Sequence, residues 1–82
     1  MKITSTESFK KDYRHLPLYI QEIFERKIRL FMDNIQHPSL RIKKMQGHEN
    51  RRECSITMFY RFTFEIRSDC YILRRIGPHD DV

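Results

Sequence analysis

The sequence predicts an α+β fold: an N-terminal strand and a two-helix hairpin, followed by an antiparallel β-meander sheet packed on the helices. Three observations carry that reading. Apolar residues recur at helical intervals up to about Ile35, the period changes to two beyond Pro38, and 82 residues leave room for one hydrophobic core, so residues 1–82 are expected to form a single domain.

"MKIT" reads as a short opening strand. Thr4 and Glu7 have the spacing of a capping box, which places a helix start near Ser5, and Phe9, Tyr13 and Leu16 then recur along that helix. Pro17 suits the first turn of a second helix, where its missing N–H costs nothing. That helix, over about residues 17–35, sets Ile20, Ile23, Phe24, Ile28, Phe31 and Ile35 on one stripe, and Pro38 stops it.

Alternation takes over from "SLRIKKMQG", with a short strand near residues 41–45. Cys54, Ile56 and Met58 alternate with Ser55 and Thr57, then Tyr60, Phe62, Phe64 and Ile66 with Arg61, Thr63 and Glu65; "CYILRRI" is a third run, and "RSD" turns the chain between the last two. If Phe62, Phe64 and Ile66 face the helices, Arg61, Thr63 and Glu65 face water, joined by Lys43 or Lys44. The aromatic stripe Tyr60, Phe62 and Phe64 is expected in the core, because so small a domain needs those rings inside, with Tyr60 and Tyr71 as exceptions at the sheet edge.

The net charge of +5 lies wholly between Arg41 and Arg75, where nine basic residues meet four acids, so the sheet half of the chain carries a positive field suited to a polyanion or an acidic protein. Two cysteines without a CxxC pair, and an N-terminus without a secretory pattern, fit a cytoplasmic protein. No apolar stretch approaches the roughly 20 residues needed to cross a bilayer, so no membrane partner is expected. His37, His48, His79, Cys54 and Cys70 show no ligand-pair spacing, so no metal site is expected.

Several stretches stand in the order found in one known family: Leu16 and Pro17 between the helices, "HPSL…KMQG" before the sheet, the strand carrying Tyr60, Arg61, Phe62, Phe64, Glu65 and Ile66, and the terminal "IGPHDDV". Over essentially its whole length the chain resembles the RelE/ParE superfamily of toxins from bacterial type II toxin–antitoxin systems. For the ribonuclease branch, that resemblance implies a RelE-like fold and a cut in mRNA on the ribosome, made without a metal or any other cofactor by the ribose 2′-hydroxyl attacking the adjacent phosphate. Such chemistry needs a base, an acid and cations for the phosphorane charge.

Arg61 matches the family's strand arginine, and its planar fork suits two phosphate oxygens. His79 matches the C-terminal histidine, an imidazole being able to give or take a proton near neutrality, with Asp80 or Asp81 to orient it. Lys43 and Lys44 fall where relatives hold the cleaved phosphate. His48, Arg51 and Arg52 form a donor-rich loop beside Gly47 that is expected to approach RNA, although many relatives carry an aromatic residue near Arg52. The resemblance further implies a cognate antitoxin protein. Two alternatives share the same fold: a ParE-like toxin that binds DNA gyrase, and an inactive relative.

Overall fold

The computed structural model describes residues 2–81, the side chain of Asp81 excepted. Strand β1 (Lys2–Ser5) leads into helix α1 (Glu7–Arg14) and helix α2 (Leu18–Asp33). After a 3-10 turn at Pro38–Leu40 come β2 (Lys43–Lys44), β3 (Arg51–Ser55), β4 (Tyr60–Arg67) and β5 (Cys70–Pro78). The sheet order is β1-β5-β4-β3-β2. Strand β1 runs parallel to β5, and the other pairings are antiparallel, as the meander requires.

The first helix starts later than the Thr4/Glu7 spacing suggests. Thr4 belongs to β1, and Thr6 is the N-cap, its hydroxyl accepting from the Phe9 N–H at 3.1 Å and donating to the Arg74 carbonyl at 3.0 Å. One hydroxyl thus closes the helix end and ties it to β5. Pro17 precedes α2, whose first free amides at Ile20 and Gln21 bond the Pro17 carbonyl, and Gln21 Nε2 donates back to the Tyr13 carbonyl at 2.9 Å to clamp the hairpin. The helix ends at Asn34, whose extended backbone stops it before Pro38 is reached.

Ile20, Phe24 and Phe31 project from α2 onto the sheet. The Phe24 ring meets Phe62 edge-on at 5.4 Å, and Phe31 meets Phe64 at 4.9 Å and Phe62 at 5.8 Å. Tyr71 is not at an exposed edge: its ring packs against both Phe31 and Phe64, because β1 pairs beyond β5 and makes β5 an inner strand.

The face away from the helices is drier than alternation implies. Thr63 and Glu65 are only 4% and 5% exposed, because arginine side chains gather over Glu65. A register shift helps. Thr63 pairs with Arg75 and Phe64 with Leu73, so β5 has one residue, Arg74, where β4 has none between. The extra residue keeps Leu73 and Ile76 both inward, while Arg74 reaches Glu65 and Arg75 grips Asp12 on α1 through both carboxylate oxygens, at 2.6 and 3.2 Å.

The strand expected through Met58 stops at Ser55. Residues 56–59 form a turn, held because Thr57 Oγ1 accepts from the amides of Phe59 and Tyr60, each at 3.2 Å, and it leaves Met58 and Phe59 exposed. Ser68, with φ of 47°, turns β4 into β5 within the "RSD" segment.

Candidate nucleic-acid interface

Parity along the strands decides which charged residues can meet. Cys54, Phe62 and Phe64 are buried toward the helices, so their neighbours Glu53, Arg61, Thr63 and Glu65 take the outer face. Across the sheet, Lys43 stands opposite Glu53 and Glu53 opposite Thr63, so Lys43 shares that face. Lys44 stands opposite Arg52, which lines a cleft with Ile42, Phe64 and Ile66 on the helix side. Of the two lysines, the structure brings Lys43 to the outer face, opposite Glu53, and turns Lys44 away.

The backbone carries His79 to the same place. Pro78 pairs with Tyr60 at the end of the β4–β5 ladder, and the His79 amide donates to the Phe59 carbonyl at 2.7 Å, anchoring the residue to the turn before β4. Its ring Nδ1 then lies 3.9 Å from Glu53 Oε1, and Arg61 Nε lies 3.5 Å from that same oxygen. Because both distances run to one atom, the guanidinium and the imidazole can be no further apart than the two laid end to end, which is within the span of one phosphodiester group and its hydrogen bonds.

Arg61 is partly buried and fixed. Its Nη1 donates to the carbonyls of Thr57 and, at 3.0 Å, Tyr60, so the turn at residues 56–59 and the guanidinium hold one another in place. Glu53 escapes sequence reasoning because it reads as one charge in the "RRE" run. Parity with buried Cys54 was the signal that could have found it, since it assigns Glu53 to the face of Arg61. Asp80, expected to orient His79, is exposed and makes no hydrogen bond to it among the described residues; Glu53 is the carboxylate that faces the ring. Asp81 lies outside the side chains described.

A second charged group lies two residues further along the same face. Arg67 and Arg74 both bond the Glu65 carboxylate, Arg74 at 3.0 Å, and Arg51 stands 3.9 Å away. The direct bond from Arg67 holds the Glu65 carboxyl below the usual range against the opposing effect of its burial, with Arg74 and Arg51 adding to the pull. Arg51 and His48 line an open cleft of about 630 Å³ here, with Gly47, Asn50, Arg67 and Arg74. Arg52 is separate from it, its guanidinium donating to the carbonyls of Glu49 and Arg51. The sequence-predicted basic residues therefore fall into three places: Lys43, Arg61 and His79 around Glu53; His48 and Arg51 around Glu65; Lys44 and Arg52 on the helix side.

A guanidinium, an ammonium, an imidazole and a carboxylate on one face supply the cations, the acid and the base that metal-free phosphodiester cleavage demands. None of the described residues forms a His, Cys, Asp and Glu cluster with the geometry of a metal site.

No protein-family profile matches the sequence, and no curated protein matches it. Solved structures do. The RelB–RelE antitoxin–toxin complex from Methanococcus jannaschii contains a chain that superposes with a TM-score of 0.81 at 24% identity, over 95% of this chain and 92% of that one. The fold is that of the RelE-type toxins. A YoeB/ParE toxin from Agrobacterium tumefaciens matches at a TM-score of 0.80 and 18% identity, over 96% of this chain and 99% of that one. The Escherichia coli DinJ–YafQ complex gives 0.78 and 15%, over 99% and 96%. The RelE-type fold thus accounts for nearly every residue of the chain, including β5 and the segment that carries His79.

Proposed function

We propose that this chain is the toxin of a type II toxin–antitoxin pair and that it cuts mRNA on the ribosome by metal-independent transesterification. The observation that carries the reading is the convergence of Arg61 and His79 on one oxygen of Glu53. Glu53 takes the proton of the ribose 2′-hydroxyl, and the resulting oxygen attacks the adjacent phosphorus. The bond to the 5′-oxygen breaks as His79 delivers a proton to it, leaving a 2′,3′-cyclic phosphate and a free 5′-hydroxyl. Arg61 and Lys43 neutralise the charge that builds on the phosphorane oxygens, and Arg61 does so from a position fixed by two backbone carbonyls.

Two of the similar structures are toxins solved with their antitoxins, RelB–RelE and DinJ–YafQ. That supports a cognate antitoxin here, an acidic partner drawn by the basic sheet half of the chain. Co-purification from the native host, with the toxin tagged, tests the partner.

Expression in growing cells followed by mapping of new RNA ends tests the activity. Cuts inside translated frames that vanish in His79→Ala and Arg61→Ala support the reading. Double-strand DNA breaks in place of RNA cuts would assign the gyrase-binding alternative, and arrest that persists in both variants removes these residues from the mechanism.

A further inference from the structure

Arg61 borders a second feature that the cleavage chemistry does not use. Beside it lies a cavity of about 340 Å³ lined by Lys27, Arg41 and Arg61, with Ser39, Ser55 and Thr57 among the remaining walls. No carboxylate lines it among the described residues. It could hold roughly ten waters at about 30 Å³ each, ample for a phosphate group.

We propose that this cavity binds an RNA phosphate next to the one that is cut, which makes Lys27 and Arg41 substrate-binding residues; the inference rests on the proposed nuclease activity. Three observations support it. Three cations line it, Lys27 from α2, Arg41 just after the 3-10 turn and Arg61 from β4. Arg61 pairs with Glu53 at 3.5 Å, whereas Lys27 and Arg41 have no ion-pair partner among the described residues, so an anion placed between them would gain from both. Two of them are already aimed: Lys27 Nζ donates to the Ser39 carbonyl at 3.2 Å, and Arg61 is fixed by the carbonyls of Thr57 and Tyr60. Thr57 Oγ1 accepts from two amides, which leaves its own hydrogen to donate to a phosphate oxygen.

A further observation is conformational. Arg41 closes the Pro38–Leu40 turn in the left-handed region, φ 48° and ψ 49°, where a residue with a side chain is strained. Glycine would be the easier choice there. Arginine supplies charge to the cavity wall, and it makes no ion pair with any described residue. Because Arg61 borders both this cavity and the Glu53–His79 cluster, a strand whose reacting phosphodiester sits at His79 can lodge the neighbouring phosphate between Lys27 and Arg41.

The test is titration of the ¹⁵N-labelled chain, read by amide shifts. Inorganic phosphate is expected to move Ser39, Arg41, Ser55 and Thr57, and a short single-stranded RNA made uncleavable by 2′-O-methylation is expected to move these together with His79. Arg41→Gly removes a cation at a position whose backbone favours glycine, so it should fold at least as well as the parent. With Lys27→Gln added, oligonucleotide affinity is expected to fall at least tenfold. Phosphate shifts confined to Lys43 and His79, or unchanged affinity in Arg41→Gly and the double variant, overturn the site. If phosphate fills the cavity but the oligonucleotide leaves it unperturbed, or if a glutamate-rich peptide displaces phosphate where RNA does not, the RNA assignment falls in favour of a free anion or an acidic protein. The titration needs no turnover, so it decides the cavity even where the nuclease reading fails.

Discussion

His79 Nδ1 stands 3.9 Å from Glu53 Oε1 although Glu53 lies on β3 and His79 directly follows β5, with β4 between those strands. The pairing exists because the His79 amide is held by Phe59 at the near end of β4 and because Glu53 and Arg61 share the outer face. In the proposed mechanism these are the acid and the base.

Removing either should therefore slow cleavage without unfolding the chain. His79→Ala and Glu53→Gln are each expected to lower the cleavage rate by about 10²–10⁴, the range for loss of a positioned general acid or base. Melting temperatures close to wild type, measured alongside, separate this from a folding defect. A Glu53→Gln protein with full activity would leave the reaction without its base.

Arg61→Lys distinguishes charge from geometry. Lysine keeps the positive charge but cannot reproduce the fork that bonds Thr57, Tyr60 and a phosphate together. Activity is expected to fall nearly as far as in Arg61→Ala. Full activity in the lysine variant would mean that a point charge suffices.

The aromatic core predicts a stability effect remote from the site. Phe62 is fully buried and meets both Phe24 and Phe31 edge-on, so Phe62→Ala is expected to cost about 3–5 kcal/mol. Urea denaturation would show it. Against a typical total of about 5–15 kcal/mol, that is enough to leave much of the variant unfolded.

Acid should weaken the fold through two carboxylates whose pKa values lie below their ordinary ones. For Asp12, burial raises the value, but the two-point grip of Arg75 and the Ile76 amide outweigh it, with His15 adding a smaller pull; for Glu65, the Arg67 bond leads. A lowered folded-state value means that the stabilisation is fully present above the unfolded carboxylate range, near pH 4, and is lost as pH falls through the lower folded value. The urea midpoint should drop between about pH 5 and pH 2, and less steeply in an Asp12→Asn, Glu65→Gln double variant. Equal slopes would show that other groups govern acid unfolding.

Much of this was readable in the sequence, for identifiable reasons. The stripe of Ile20, Phe24 and Phe31 and the alternation of Phe62 and Phe64 with Arg61 each reflect one dominant effect, burial of apolar surface, and both are found as expected. Legibility ended where a choice depended on partners distant in sequence. Whether Lys43 or Lys44 faces outward depends on its register against Glu53 and Arg52, and Thr6 outcompetes Thr4 as cap because β5 pairs with β1 and claims Thr4 for the strand. Met58 fits the alternating pattern, yet the Thr57 hydroxyl bends the chain into a turn there. Glu53 acquires its place only once β3 lies beside β4 and His79 has been carried to the turn before β4.

The most direct test of the central claim is to compare wild-type, Arg61→Ala and His79→Ala proteins in a translation extract and to map the ends of a reporter mRNA. Cuts within the translated frame that leave a 2′,3′-cyclic phosphate, and that disappear in both variants, are the predicted result. Intact mRNA with the wild-type protein, or the same cuts in both variants, would contradict it.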